Sequence, residues 1–180
     1  AFPTNYFYEK FFKNIPFHCN RWCEKTPKNV LYIGRILAHF RKKVKILHIV
    51  RDGRDVILSR HPSKPDKYWI SAKRWISEVN AGLSFYSHPQ VYTLKYEDLV
   101  LYYDDTMKQI CNFLEIDYNY RLKNFYQFAT VRANISYTRG LQPLYKDSIG
   151  KWQNKRYRKK VDEFIKNKEA RRLLKKLHYI

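Results

Sequence analysis

The segment 45–60, KILHIVRDGRDVILSR, constrains the fold more than any other part of this sequence. It contains most of the apolar run Val44–Val50, and short continuous apolar runs are typical of strands covered on both faces. Asp52 and Gly53 mark a turn, after which apolar residues predict a helix that reaches Arg60. A buried strand, a turn and a helix in this order indicate an α/β fold with a parallel sheet.

The rest of the chain alternates between helices and strands in the same way. Thr26 and Pro27 predict an N-cap and a first helical residue, and apolar side chains at helical spacing support the helices. The other predicted elements are helices at 27–40, 68–87, 120–128, 158–177 and from Asp104 or Asp105 to 114, a strand at 91–96, and loops at 62–65 and 132–152.

This pattern predicts one α/β domain over residues 1–180, in which helices flank a parallel sheet in three layers. Two strands are too few for a stable open sheet. We therefore expect further strands from segments that the pattern does not mark, or from sequence outside this chain.

Residues that can bind a phosphate follow the first strand. Ligands of open α/β sheets bind beyond the carboxyl ends of the strands, where Arg51 is predicted to lie. Gly53 would allow a close backbone approach, the next helix would offer free N–H groups, and Arg54 and Ser59 would add donors. The alternative is that these Arg-Asp pairs only cap a loop.

The chain carries 36 Lys and Arg against 16 Asp and Glu, a formal net charge of +20. Such a charge implies a polyanionic partner, namely nucleic acid, an anionic membrane, an acidic glycan or a nucleotide, or else a solvated basic face. No long apolar run predicts a membrane span within this chain. Three cysteines without a second Cys/His pair predict no metal site.

The run V-R-D-G-R-D-V-I-L-S-R resembles the 3′-phosphate-binding motif of sulfotransferases that use 3′-phosphoadenosine 5′-phosphosulfate (PAPS). In that family an Arg closes a strand and a Ser eight positions later joins it on the 3′-phosphate, at positions that match Arg51 and Ser59 here. The resemblance implies the family's α/β fold, which is similar to that of P-loop nucleotide transferases.

Three further segments resemble the family in the same order. Glu24-Lys25-Thr26-Pro27 is similar to the E-K-T-P element of Golgi-type and bacterial members. Tyr96-Glu97-Asp98 resembles the family's Y-E-D, whose Tyr lies near the adenine. The third segment is similar to the closing G-x-W element that wraps the nucleotide. The residues it would contribute to the site are Lys146, Gly150, Lys151 and Trp152, with Tyr145 where the family usually has a basic residue.

One family element is not found in this sequence, namely the N-terminal strand and the P-x-S-G-T-T-type loop that cradles the 5′-phosphosulfate. The resemblance therefore covers about the C-terminal two thirds of a usual domain. We expect either that the native chain extends upstream or that this is a fragment that cannot complete its donor site.

The implied reaction moves a sulfuryl group from PAPS to an acceptor hydroxyl or amine without a metal and leaves adenosine 3′,5′-bisphosphate. Lys25 matches a lysine near the leaving phosphate oxygen. Glu24 is the nearest carboxylate and is either the base for the acceptor proton, the residue that orients Lys25, or part of the helix start. We expect His48, inside the first strand, to be a packed core histidine.

The net charge favours an acidic acceptor such as a glycan, while tyrosyl peptides, lipids and small alcohols stay open. A noncatalytic sulfotransferase-like fragment is one alternative. A basic nucleic-acid-binding domain is another, and it is disfavoured because no aromatic RNP-type strand motif or zinc knuckle is present. The compartment stays open, since bacterial members are cytoplasmic and Golgi members carry an N-terminal anchor that would lie outside this chain.

Overall fold

The computed structural model describes residues 21–61, 63–129, 143–144 and 146–180. Its strands are β1 (Ile46–Val50), β2 (Arg60–His61), β3 (Lys64–Tyr68) and β4 (Val91–Lys95). Its α-helices are Ile33–Phe40, Gly53–Val56, Ala72–Leu83, Tyr96–Leu101, Tyr103–Leu114, Phe125–Phe128, Arg158–Lys166 and Lys168–Lys176. Short 3-10 helices cover Pro27–Tyr32, Arg41–Lys43, Tyr120–Leu122, Lys151–Gln153 and Lys155–Tyr157.

A small parallel sheet organises the fold. Strands β1 and β4 pair in parallel, with Ile46 opposite Val91 and Val50 opposite Lys95. Their carboxyl ends meet at one edge, which brings the residues that follow each strand close together. The fold is thus mixed helix and sheet, as predicted, although the parallel sheet has only two strands within the described residues.

The second pair of strands corrects the prediction for residues 57–68. The helix that starts at Gly53 ends at Val56, and Arg60 belongs to strand β2 instead of that helix. Strand β2 pairs antiparallel with β3, so a hairpin occupies the predicted loop at 62–65. The pattern hid this hairpin because β3 is exposed along its whole length and its residues, KPDKY, lack apolar alternation.

Strand β1 is covered on one face only, which also differs from the prediction. His48 and Val50 are buried, whereas the side chains of Leu47 and Ile49 are 36% and 51% exposed. The covered face packs on the Ala72–Leu83 helix, where Gly82 lies directly against the His48 ring. His48 is therefore a packed core residue, as predicted.

The C-terminal helices complete the main core and are not a separate basic appendage. Phe164 packs edge-on against Trp75, and Leu173 and Leu174 are fully buried in the same cluster as Val50. The predicted single helix at 158–177 is two helices. The break occurs at Asn167, whose extended backbone ends the first helix and whose side chain caps the second by accepting from the N–H groups of residues 169 and 170.

Several predicted helix starts shift by a few residues. Thr26 occupies the N-cap position before Pro27, but its hydroxyl donates to Glu24 instead of capping the helix. The helix predicted from residue 68 begins at Ala72 with Ser71 as its cap, and the next long helix begins at Tyr103. Most of the predicted loop at 132–152 lies outside the described residues.

Candidate nucleotide site

Arg51 and Tyr96 meet at the carboxyl edge of the parallel sheet because each follows one of its two strands. The Arg51 guanidinium lies over the Tyr96 ring, 4.9 Å from its centroid. Both residues also contact Ser148: Arg51 Nη2 donates to the Ser148 carbonyl oxygen, and the Tyr96 and Ser148 hydroxyl oxygens are 3.0 Å apart. This cluster joins three of the four sequence segments that resemble the family.

Arg51 has unused hydrogen-bonding capacity. Its Nε is buried and has no hydrogen-bond partner, and it forms no salt bridge with any carboxylate in the described part of the chain. A buried donor without a partner is costly, so the Arg51 Nε favours an acceptor atom beside it. The surroundings of Arg51 therefore suit a phosphate.

Gly53 turns the position of its missing side chain toward the protein core. A Cβ atom at this position would lie 2.6 Å from the Phe164 ring and 2.7 Å from the Trp75 ring, so the close approach is to the core. The helix start is also occupied. The backbone N–H of Asp52 donates to Glu97 at 3.0 Å, and that of Arg54 donates to Asp52 at 2.8 Å. The prediction that this helix start offers free N–H groups is therefore wrong for these two groups.

Arg54 is built into the protein interior. Its side chain is 5% exposed, and Nε and Nη2 donate to the Asp52 carboxylate, with the shortest distance 2.7 Å. Nη2 also donates to the Tyr179 carbonyl at 2.9 Å, and the guanidinium lies 3.6 Å from the centroid of the Trp152 ring. These contacts favour a structural role for Arg54 and compensate its charge without a ligand.

Glu97 and Tyr179, which are both half-buried, bond to each other and to the Asp52–Arg54 pair. One Glu97 oxygen accepts from the Asp52 N–H, and the other accepts from the Tyr179 hydroxyl at 2.7 Å. Burial and, secondarily, the Glu97 carboxylate raise the pKa of Tyr179 far above its usual value, so the phenol stays protonated. Sequence reasoning missed Tyr179 because no local pattern links it to a residue 82 positions away.

A segment that we call the strap, residues 148–152, crosses the site. The Asp55 carboxylate accepts from the Gly150 N–H at 2.7 Å and from the Trp152 N–H at 3.0 Å. Burial raises the pKa of the Asp55 carboxyl, while these two bonds and the nearby Arg51 charge oppose the rise. Asp55 was not among the predicted site residues, although it lies inside the motif that predicted the site.

The remaining predicted donor-binding residues lie at the margins. Ser59 is half-buried, and its carbonyl accepts from the Trp69 N–H at 2.9 Å, which ties the base of the β2–β3 hairpin to the end of the motif. Lys146 and Lys151 are exposed on either side of Gly150, which has a left-handed φ of +74°. Tyr145 lies outside the described residues.

Lys25 and Glu24 lie in an exposed segment without regular secondary structure. Glu24 accepts hydrogen bonds from the Thr26 hydroxyl and from the Asn29 side chain, so it holds the start of the following helix. Across the described ranges, no hydrogen bond or salt bridge joins Lys25 or Glu24 to the Arg51 cluster or the strap. The structure thus brings Arg51 and Tyr96 together through Ser148, whereas the roles predicted for Lys25 and Glu24 stay predictions.

No group of three or more His, Cys, Asp or Glu in the described residues is placed to hold a metal ion. None of the helices formed by these residues combines the length and the apolar character needed to cross a bilayer.

Comparisons with known proteins agree with the geometry. A family model described as "Sulfotransferase family" matches residues 3–120, a range that includes Arg51 and Tyr96 and ends before the strap. The chain is also similar to an "Uncharacterized protein" of Aquifex aeolicus (strain VF5), with 25% identity over 162 residues. This alignment covers 81% of the chain and 20% of the relative, so the chain spans about a fifth of that protein's length. No solved structure matches the chain.

Proposed function

Because this chain belongs to the sulfotransferase family, we propose that it binds PAPS and takes part in transfer of its sulfuryl group to an acceptor. The product nucleotide would be adenosine 3′,5′-bisphosphate. The observation that carries this proposal is the buried Nε of Arg51, which has no hydrogen-bond partner among the described residues.

In this proposal the 3′-phosphate of the donor binds Arg51 and the Ser59 hydroxyl. The free Nε of Arg51 supplies a charge-assisted hydrogen bond, which is the strongest kind available to a phosphate. Tyr96 lies under the Arg51 guanidinium, and we propose that its ring lies beside the adenosine of the donor. Arg54 acts indirectly, because its contacts with Asp52 and Trp152 fix the motif and the strap.

The strap is proposed to cover the nucleotide. Gly150 provides the left-handed turn, Trp152 packs on Arg54, and the exposed amines of Lys146 and Lys151 add positive charge on both sides of the turn. Mobile cations of this kind attract a polyphosphate without needing a fixed geometry.

The chemical step would be an in-line transfer. The bond between sulfur and the phosphate oxygen breaks, a bond between sulfur and the acceptor oxygen forms, and the acceptor proton passes to a base. We propose that Lys25 neutralises the negative charge on the departing phosphate. Glu24 is proposed as the base or as the residue that orients Lys25, and its bonds to Thr26 and Asn29 favour the orienting role.

The acceptor is proposed to be acidic, with a glycan as the favoured class. The two C-terminal helices with the 3-10 turn before them, residues 155–176, carry many exposed Lys and Arg. These elements follow the strap in the sequence. We therefore propose that they hold an anionic acceptor near the segment that covers the nucleotide. A noncatalytic sulfotransferase-like module is the second candidate function, because no hydrogen bond or salt bridge joins Lys25 or Glu24 to the Arg51 cluster in the described residues.

Calorimetry with adenosine 3′,5′-bisphosphate and adenosine 5′-phosphate tests the donor assignment. We expect the bisphosphate to bind at least tenfold more tightly, because each charge-assisted bond to the extra phosphate contributes about 1.5–3 kcal/mol. Arg51→Ala should remove most of this preference. Arg158→Ala, which removes an exposed arginine elsewhere, is the matched control and should retain it. Equal affinities of the wild-type protein for both nucleotides would contradict the proposal.

A further inference from the structure

Residues that follow strands β1 and β4 hold the strap at both of its ends. At one end, Ser148 contacts Arg51 through its carbonyl oxygen and Tyr96 through its hydroxyl. At the other end, the Asp55 carboxylate accepts the N–H groups of Gly150 and Trp152. The contacts of Ser148 with Arg51 and Tyr96 therefore depend on the two hydrogen bonds by which Asp55 holds the other end of the strap.

A carboxylate at the position of Asp55 has an electrostatic cost. Asp55 is 3% exposed, and the Arg51 charge is near enough to act on its pKa. A negative charge there opposes the binding of a phosphate to Arg51, and burial of the carboxylate disfavours its ionised form. Both Asp55 oxygens accept hydrogen bonds from the strap, which explains why an acid occupies this position.

The strap backbone has the shape that holds an anion. Gly150 is left-handed with φ +74° and ψ 13°, and the 3-10 turn Lys151–Gln153 follows it. A left-handed residue next to right-handed ones turns nearby N–H groups toward a common point and forms an anion-binding concavity. The anion in this concavity is the Asp55 side chain, so loss of its charge would release the strap conformation itself.

We propose that Asp55 is a positioning residue for nucleotide recognition. It holds the strap so that Ser148 sets the orientation of Arg51 and Tyr96, and it does not itself contact the nucleotide. The proposal rests on the proposed function, since it assigns how the same donor site is kept in its binding geometry.

The test compares wild-type protein with Asp55→Asn and Asp105→Asn by calorimetry, with both adenosine nucleotides. Asn has the size of Asp but replaces one acceptor oxygen by a donor, so at least one strap bond is lost. We expect about tenfold weaker binding of the bisphosphate and a smaller preference over the monophosphate. Asp105→Asn removes an exposed carboxylate from another helix and should leave both affinities unchanged.

The direction in which Asp55→Asn changes the bisphosphate affinity separates a positioning role of Asp55 from a purely electrostatic one. Removal of a negative charge beside Arg51 would by itself strengthen phosphate binding, so a gain in bisphosphate affinity in Asp55→Asn overturns the proposal. Ser148→Ala is a second variant that spares Asp55 and removes only the hydroxyl contact to Tyr96. We expect a smaller loss of preference there, and full preference in both variants also overturns the proposal.

Trypsin cleavage after Lys151, followed by mass spectrometry, measures the strap directly, because this lysine is exposed. We expect faster cleavage in Asp55→Asn than in the wild type and weaker protection by the bisphosphate. If the wild type does not prefer the bisphosphate, the proposed function fails, whereas the cleavage comparison still decides the role of Asp55. Equal cleavage rates in the two proteins would show that Asp55 does not hold the strap.

Discussion

Arg51 and Arg54 lie three residues apart in one motif, and their surroundings are opposite. Arg54 is buried on Asp52, a backbone carbonyl and the Trp152 ring, whereas Arg51 has a buried Nε without a partner. The same contrast separates two regions. We call them the internal network (Asp52, Arg54, Asp55, Glu97 and Tyr179) and the open face (Arg51, Ser59, Lys146 and Lys151). The polar groups of the first region are hydrogen-bonded within the protein. Among the described residues, Arg51, Lys146 and Lys151 of the second region form no salt bridge.

The largest expected difference between the regions is in stability. Arg54→Ala should lower the free energy of unfolding by about 3–5 kcal/mol, because it leaves the Asp52 carboxylate buried without its partner. Arg51→Ala should cost about 1 kcal/mol or less, since no buried ion pair is broken. Urea denaturation of both variants measures this, and equal losses would remove the distinction between the regions.

The pH dependence of stability tests the buried side of the sheet. Burial lowers the pKa of His48 to about 4, below the value of about 6.5 expected in the unfolded chain. On acidification, His48 of the unfolded state therefore binds a proton before His48 of the folded state does. The stability that neutral His48 contributes is complete above pH 6.5 and is lost as the pH falls to about 4. The loss attributable to His48 should approach about 3 kcal/mol.

Urea denaturation between pH 7 and pH 4 checks this expectation against His48→Gln. The variant should be less stable at pH 7 and should lose less stability on acidification than the wild type. The comparison isolates His48 from the other acids and histidines that titrate in the same range. Parallel stability curves for the two proteins would show that the pKa of His48 does not differ between the folded and unfolded states.

Two glycines sharpen the contrast between packing and ligand binding. Gly53→Ala should destabilise the protein by about 1–3 kcal/mol, because the new methyl would lie 2.6 Å from Phe164 and 2.7 Å from Trp75. Gly34→Ala is the control, since its methyl would meet only Phe85 at 3.2 Å and alanine favours the helix. Thermal denaturation should separate the two variants, and a neutral Gly53→Ala would return this glycine to the ligand-binding role.

The smallest effect is expected on the open, basic surface. Neutralisation of Arg171, Arg172, Lys175 and Lys176, all exposed on the last helix, should leave nucleotide binding intact. It should raise the acceptor KM a few-fold and flatten its dependence on salt, because screened long-range attraction is lost. Steady-state kinetics with an acidic glycan at several salt concentrations measures this. An unchanged salt profile would assign these charges to solubility.

The sequence predicted which site residues lie close together only where the topology of the sheet brings them together. The meeting of Arg51 and Tyr96 was predictable, because two parallel strands place their following residues at one edge. Local spacing carried no information about the Asp55 contact with Gly150, which joins residues 95 positions apart. The placement of Lys25 was not predictable either, since the exposed segment before Pro27 has no periodic pattern that fixes where it lies.

Arg54 also gives the molecule an order of assembly. One of its buried hydrogen bonds goes to the carbonyl of Tyr179, which is 125 residues later in the chain. A ribosome adds about 5–20 residues per second, so the motif emerges seconds before this partner exists. During that time Arg54 can bond to Asp52 but not to Tyr179. The Arg54 bond to Tyr179 therefore cannot form until residue 179 has been made, and a nascent chain released before Tyr179 would carry the complete motif without this bond.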